Sequence, residues 1–349
     1  MDKIISSQEI IFELEKKIGD PSIDLILKDN IKNGKNYKFK FIDLFAGIGG
    51  FRIAFEKHGG KSVFTSEWDK NSQYTFYANF KEIPKGDINA IDPNSIPQHN
   101  ILLAGFPCQA FSIAGHRKGF EDTRGTLFFN IAKILESKSP PAFLLENVKG
   151  LENHNNGETL NRMREILELK LNYKVKIEVL NSMTHANIPQ NRERIFFVGI
   201  HNEYYKGEFC FPKEIELKKT IHDCLLAEKQ DDKYYYKSNH PYYTELEKNV
   251  TKRDTIYQWR RKYVRENKSN VCPTLTANMG TGGHNVPIIR DKFGIRKLTP
   301  RECANFQGYP PKYILPKIAD SKLYYQIGNS VTVPLIERIA KRMIKYLEY

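Results

Sequence analysis

Phe39-Lys40-Phe41-Ile42-Asp43-Leu44-Phe45-Ala46-Gly47-Ile48-Gly49-Gly50-Phe51 is the stretch from which the fold is read. An apolar run enters a glycine-rich turn, and an amphipathic segment from Phe51 to His58 follows, closed by Gly59-Gly60. That order is strand, tight turn, helix. Glycines at such a turn let a ligand approach the backbone and expose amide donors at a helix N-terminus; a tight structural turn is the plain alternative. Outward from it the pattern repeats. Ser62 to Ser66 reads as a strand and Asn71 to Phe80 as a helix, followed by strand 100–105, helix 126–137, strand 142–146, helix 158–171 and strands 174–180 and 194–200. This alternation predicts an α/β fold with a doubly wound, mostly parallel sheet.

The rest of the chain divides around that unit. Residues 1–37 read as an extension, with helical spacing from Ser7 to Leu14 broken at Gly19-Asp20-Pro21 and a polar linker from Asn30 to Asn36. Residues 202–295 are rich in Tyr, Lys and Asn, lack βα alternation, and predict a second, smaller domain. After Arg296 regularity returns. Pro334 opens a helix with Leu335, Ile336, Ile339, Met343 and Leu347 on one face, which predicts a return to the sheet and a sheet domain made of 38–201 and 296–349.

Composition bounds the function. The 349 residues are 40% hydrophobic, enough for a sizeable core. No apolar run approaches the ~20 residues of a membrane span, and Met1 to Ile5 does not open a secretory signal, so a cytoplasmic location is expected. The cysteines at 108, 210, 224, 272 and 303 form no C-x-x-C pair, so neither a metal site nor a disulfide framework is expected. The net charge of +13 favours a polyanionic partner. From Lys248 to Lys268 there are eight basic and two acidic side chains, interleaved with Tyr257, Trp259 and Tyr263. Such side chains neutralise phosphates and pack on sugars or bases; a solvated helix face is the alternative.

Candidate chemistry gathers at strand ends. The second strand ends in Glu67-Trp68-Asp69, and Glu67 lies 20 residues after Gly47, where an acid grips ribose hydroxyls. Trp68 offers a flat face to adenine or is a core aromatic. Asp87, in Gly86-Asp87-Ile88, accepts from an exocyclic amine or caps a turn. Together these suggest an adenosine ligand. Without a full G-x-G-x-x-G or a Walker pattern, a dinucleotide or triphosphate is disfavoured. The strand ending at Gly105 runs into Phe106-Pro107-Cys108-Gln109-Ala110-Phe111-Ser112. A cysteine at a strand's carboxyl end lies where α/β sheets bind ligands and suits an exposed nucleophile. The next strand ends in Glu146-Asn147-Val148, which puts a carboxylate at the same sheet edge. Burial there would raise its pKa and let it carry a proton; a salt-bridged carboxylate is the alternative. Arg192 and Arg194, in Gln190-Asn191-Arg192-Glu193-Arg194, would hold a carboxylate and a carbonyl oxygen, or are surface charge.

In this order these segments resemble the DNA (cytosine-5)-methyltransferases of bacterial restriction–modification systems. The resemblance covers about residues 38–345 and includes Arg296 to Cys303 and Gln326 to Val331. It implies a Rossmann-like methyltransferase fold with S-adenosyl-L-methionine as cofactor and S-adenosyl-L-homocysteine as product. The cofactor contacts it implies are Phe45, Gly47, Gly49, Gly50, Glu67, Trp68, Asp87, Ile88, Pro107, Leu127, Asn329 and Val331. Catalysis falls to Cys108, Glu146, Arg192 and Arg194, with no metal. Cys108 would add to cytosine carbon 6, Glu146 would serve ring nitrogen 3 and the amine, and Arg194 the ring carbonyl oxygen. The cytosine would be rotated out of duplex DNA. Ser112 and Arg124 match the loop that closes over it, while Ala114 stands where some relatives have serine.

Residues 202–295 match the family's target-recognition region. Thr274-Leu275 is its recurrent pair, and Lys252, Arg253, Arg260, Arg261 and Arg265 are candidate phosphate or guanine contacts. The expected partner is double-stranded DNA, with a cognate endonuclease acting on the same site, and the expected state a monomer. A tRNA methyltransferase, a non-catalytic DNA-binding regulator and a nucleotide pyrimidine methylase are the rival functions. The long recognition region disfavours the first, the intact Cys108, Glu146 and Arg194 the second, and the basic recognition region the third.

Overall fold

The computed structural model describes residues 37–107, 127–260, 262–267, 270–281 and 286–348. The helix expected near the N-terminus, and Cys108, Ser112, Arg124 and Arg261, lie outside the described residues.

A six-stranded sheet forms the frame. Its strands are β1 (Phe39–Leu44), β2 (Gly60–Ser66), β3 (Ile101–Gly105), β4 (Ala142–Val148), β5 (Tyr173–Asn181) and β7 (Glu193–His201), in the order β2-β1-β3-β4-β7-β5. β2, β1, β3 and β4 run parallel, whereas β7 is antiparallel to both β4 and β5. Parallel neighbours need a crossover of a dozen or more residues. Between β5 and β7 there is only the five-residue helix α5 (Ser182–Ala186) and the two-residue strand β6 (Gln190–Asn191), so β7 turns back beside β5.

Both faces of the sheet are covered, which is why the central strands are continuously apolar. Ile101 and Leu103 of β3 face one layer with Phe41 of β1; Leu102 and Ala104 face the other with Ile42 and Leu44. The first layer receives Phe51, Ala54 and Phe55 of α1 (Gly50–Lys57) and Leu335, Ile336, Ile339 and Met343 of α9 (Val333–Leu347). The expected return of the C-terminal helix is therefore seen. The second receives Phe128, Ile131 and Leu135 of α3 (Leu127–Lys138) and Met163 of α4 (Glu158–Glu165). Between β2 and β3 lies α2 (Lys70–Phe80), capped by the Asp69 carboxylate, which accepts from the Ser72 amide.

A four-stranded antiparallel sheet, ordered β12-β11-β8-β9, is separate. It comprises β8 (Tyr257–Arg260), β9 (Tyr263–Glu266), β11 (Ile288–Arg290) and β12 (Ile295–Lys297), with Leu246 of α6 (Tyr243–Asn249) in its small core. The break expected at residue 296 falls inside β12. The aromatic and basic stretch around 257–266 is thus a hairpin, not a helix face.

Two connections tie this sheet to the frame. Arg296, fully buried, holds Asp291 at 2.6 Å and Glu302 at 2.7 Å, and Glu302 also accepts from the Thr299 amide at the start of α7 (Pro300–Phe306). The short strand β10 (Cys272–Pro273) pairs in parallel with β6. The last helix before the return is α8 (Asp320–Asn329).

Candidate active site

The carboxyl ends of β1, β2, β3 and β4 open into one cavity of about 540 Å³, a size that suits a small-molecule cofactor. Its floor is the glycine turn after β1. Phe45 takes a left-handed φ of 56° to leave the strand, and the Ala46 amide donates to Ser66 O at 2.9 Å. Glu67 fastens this turn. One carboxylate oxygen accepts from the Gly47 amide at 2.7 Å and the other from the Asp69 amide at 2.8 Å. Burial pushes the Glu67 carboxyl up, and the Asp69 and Gly47 amides partly hold it down. Each oxygen keeps a lone pair for a further donor.

Around that floor Phe45, Gly47, Glu67, Trp68, Asp87, Ile88, Pro107, Leu127 and Asn329 all line the cavity. Trp68 is 69% exposed, so its ring is a free face and not a core aromatic. Asp87 does both things the sequence left open: it lines the cavity and caps a 3₁₀ turn by accepting from the Asn89 amide. Gly49, Gly50 and Val331 do not line it. Gly49 has φ 80°, and a Cβ there would sit 2.3 Å from the Phe80 ring; a Cβ on Gly50 would sit 2.6 Å from Val331, itself in the core. These residues shape the turn from beneath. In their place Gln326 and Gly328 of α8 line the cavity, as does Asn147.

The reacting wall is built by β3, β4 and β7. Gly105 registers with Glu146, and Val148 with Arg194, so Glu146 and Arg194 are diagonal neighbours on one face. Arg194 Nε lies 3.0 Å from Glu146 Oε1, and both side chains are nearly buried. Burial pushes the Glu146 carboxyl up, while Arg194 and Arg192 pull it down without reversing that. Asn147, which sequence reasoning passed over, donates from Nδ2 to Phe106 O at 3.0 Å and pins the exit of β3 beside Pro107. Its signal was its place directly after the strand-end acid.

Arg192 also lines the cavity, and its Nε has no hydrogen-bond partner among the described residues, but both of its Nη groups point elsewhere. Nη1 donates to Leu275 O at 2.8 Å, and Nη2 donates to Gly328 O at 3.1 Å and Ser330 O at 2.6 Å. Nearby, Gln190 donates to Phe306 O and accepts from the Leu275 amide, while Thr274 Oγ1 donates to Asn191 O at 2.7 Å. Residues 190–192 therefore bolt 274–275 and 328–330 to the root of β7. The expected direct part for Arg192 in catalysis is not what its hydrogen bonds express.

The four described cysteines do not compete for a nucleophile's place. Burial pushes the Cys224 thiol up to about 12, and Cys272 and Cys303 well above the usual thiol range. Cys210 is exposed, but does not line the cavity. Of the candidate DNA contacts, Lys252 is paired with Glu266 at 2.7 Å, and Arg253, Arg260 and Arg265 are exposed. Among the described residues no cluster could hold a metal, and no helix is long and apolar enough to cross a membrane.

Known proteins resemble this chain in sequence and fold. Type II methyltransferase M.Bsp6I of Bacillus sp. (strain RFL6) is 52% identical over 308 residues, 86% of this chain and 97% of that protein. Type II methyltransferase M.HpaII of Haemophilus parainfluenzae is 40% identical over 326 residues, 89% of this chain and 90% of that protein. Among solved structures, the Dnmt2 methyltransferase of S. pombe shares the fold with a TM-score of 0.70 at 19% identity, covering 89% of this chain and 100% of that one. The family model for C-5 cytosine-specific DNA methylases matches residues 39–345, which takes in both sheets and the whole cavity wall. This chain belongs to the C-5 cytosine-specific DNA methylase family.

Proposed function

We propose that the chain methylates carbon 5 of cytosine at a specific site in duplex DNA, as the modification enzyme of a type II restriction–modification system. The single observation that carries the reading is one cavity lined by two sets of groups. Glu67, Trp68, Asp87, Ile88, Pro107 and Leu127 form one set, and Glu146 and Arg194 the other. The first set suits S-adenosyl-L-methionine, with hydroxyl acceptors at Glu67, a stacking face at Trp68 and an amine acceptor at Asp87. When bound, that cofactor supplies an electrophilic methyl on a sulfonium.

The chain's own groups would then act on the base. Cys108 follows Pro107 directly in sequence. Its thiolate adds to cytosine carbon 6, and the 5,6 double bond's electron pair makes carbon 5 nucleophilic. Glu146, its carboxyl raised by burial, delivers or shares a proton at ring nitrogen 3, and Arg194 holds both Glu146 and the ring oxygen. Carbon 5 would take the methyl as its bond to the sulfonium breaks and S-adenosyl-L-homocysteine leaves, and loss of the carbon 5 proton to a base would then re-form the 5,6 double bond and expel the Cys108 thiolate from carbon 6. Arg192 serves as a positioning residue. Pro107 and Asn329 close the cofactor side, and residues 202–295 read the target, with Ser112, Arg124 and Thr274 on the DNA side. Such an enzyme acts as a monomer beside an endonuclease that cuts the same site.

Bisulfite sequencing of DNA from a methylation-deficient host expressing the chain tests this. Methylation at one recurrent sequence is expected, and its loss in Cys108→Ser with cofactor binding kept. Label transferred only to tRNA, or retained turnover in Cys108→Ser, would overturn it.

A further inference from the structure

The amino ends of β1, β2 and β3 carry a charge arrangement that the fold does not need. Lys40 of β1 registers directly with Lys61 of β2, so two exposed cations stand side by side on adjacent parallel strands. Like charges placed opposite one another in a sheet are destabilising. Lys38, also exposed, joins them in lining one cavity of about 540 Å³. Among the described residues no acidic side chain lines that cavity, and none of the three lysines joins an ion pair. The Lys61 ammonium lies 5.4 Å from the centroid of the Tyr37 ring, a contact that holds the cation at the cavity without neutralising it.

A buried side chain at the same place lacks a partner. His99 lines the cavity and is only 5% exposed. Its Nδ1 donates to Pro97 O at 2.8 Å, which leaves Nε2 as the acceptor, and Nε2 has no partner among the described residues. Burial pushes the imidazolium down to about 4, so the ring is uncharged at neutral pH. An unpaired buried acceptor costs free energy, and a bound donor satisfies it. The backbone fixes these groups. The Asn100 amide donates to Lys40 O at 2.8 Å and Asn100 Oδ1 accepts from the Lys40 amide at 2.8 Å, which fastens the segment carrying His99 to β1. The Lys38 amide donates to Gly59 O at 2.9 Å, just before β2. β1 has six residues and spans ~20 Å, so this cavity and the cofactor cavity lie at opposite ends of the sheet. Cations beside a neutral acceptor define the ligand. The lysines call for an oxyanion and the imidazole for a hydroxyl donor. Sulfate meets only the first need; a phosphate that keeps a hydroxyl, or a sugar phosphate with hydroxyls of its own, meets both.

We propose that the amino ends of β1, β2 and β3 form a second binding site, for a phosphate that carries a hydroxyl, with Lys38, Lys40 and Lys61 on the phosphate oxygens and His99 Nε2 accepting from the hydroxyl. Free phosphate and a sugar phosphate share that chemistry. Titration calorimetry of the full chain with inorganic phosphate, ribose 5-phosphate and sulfate, all at one ionic strength, tests the site. The phosphates bind saturably, and sulfate, which has no hydroxyl at neutral pH, binds about 10-fold more weakly. The tighter of the two phosphates identifies the source. Lys40→Gln and Lys61→Gln each weaken phosphate binding about 10-fold. Neither lowers Tm in ligand-free buffer, because each relieves the repulsion between neighbouring cations. His99→Phe removes the preference for phosphate over sulfate. Equal affinity for phosphate and sulfate in the native chain, affinity unchanged in both lysine variants, or no saturable phosphate binding overturns the site. If His99→Phe does not fold, the phosphate–sulfate comparison on the native chain decides. A short DNA duplex that displaces the phosphate assigns the lysines to nucleic acid and overturns the small-ligand site as well.

Discussion

Replacing Glu67 by glutamine tests the latch beneath the cofactor cavity. The carboxylate accepts from two backbone amides, Gly47 at 2.7 Å and Asp69 at 2.8 Å, one on each oxygen. Glutamine has the same shape but one oxygen and one NH₂ group. Whichever way it turns, one amide faces another donor. A hydrogen bond to a charged acceptor contributes about 1.5–3 kcal/mol, and the amide left unpaired at this buried position costs about 1–3 kcal/mol. These overlap because both describe the same lost bond, so about 2–3 kcal/mol is expected in all. It divides between the folded state, where β2 holds the glycine turn, and the ligand, which loses a charged acceptor. Titration calorimetry with S-adenosyl-L-homocysteine should show affinity weakened about 10-fold. Thermal unfolding should show Tm lowered by a few degrees, at ~2–4 °C per kcal/mol. Glu67→Asp should not rescue, because a side chain one methylene shorter cannot reach both amides. Native-like affinity and Tm in Glu67→Gln would refute the latch.

Glu146→Gln should lower kcat about 10²- to 10⁴-fold in single-turnover methyl transfer. If the protonated carboxyl works in catalysis, kcat of the native chain falls as pH rises through its raised pKa, and the variant's profile should lack that limb; a limb kept in the variant would assign it elsewhere. Arg192→Met leaves the carbonyls of Leu275 and Gly328 without their side-chain donor and Ser330 O with only the longer contact from Gln307 Nε2 at 3.4 Å. Urea unfolding should show a loss of at least ~3 kcal/mol, and an unchanged midpoint would refute the bolt. Asp43 is fully buried, and neither carboxylate oxygen has a hydrogen-bond partner among the described residues. Burial raises its carboxyl well above the usual range, with Arg52 only partly opposing. A raised folded pKa means stability is complete below the unfolded value and is lost as pH rises towards the folded one. Asp43→Asn should therefore gain in Tm over the native chain as pH rises from 4 to 8, and a gap that shrinks instead would contradict this.

Much of the frame was legible because it is local. Alternation of apolar runs and amphipathic segments marked β1 to β4 and helices α1 to α3 to within a residue or two, since burial on both faces demands continuous apolar strands, while the helix expected over 158–171 is α-helical only over Glu158–Glu165 and continues as a π-helical turn over Ile166–Lys170. The spacing from Gly47 to Glu67 was legible too, because a strand, a helix and a second parallel strand fix where the acid arrives. The direction of β7 was not, because an apolar run reads alike both ways and only the short connection through α5 and β6 turns it back.

At the site the same division holds. Side-chain chemistry announced Glu67, Glu146 and Arg194, and the order of motifs around Cys108 announced the family. Folding was needed to separate Arg194, which meets Glu146, from Arg192, two residues away and committed to three carbonyls. Those carbonyls belong to residues 275, 328 and 330, and a backbone carbonyl has no sequence signature. Likewise Gly49, Gly50 and Val331 carry a ligand-binding pattern yet pack beneath the cavity, because a glycine that admits a ligand and one that admits a neighbouring ring are written with the same letter. Residue identity settles which chemistry a chain possesses; close packing settles which partner each group meets, since that depends on segments brought together from far apart in the chain.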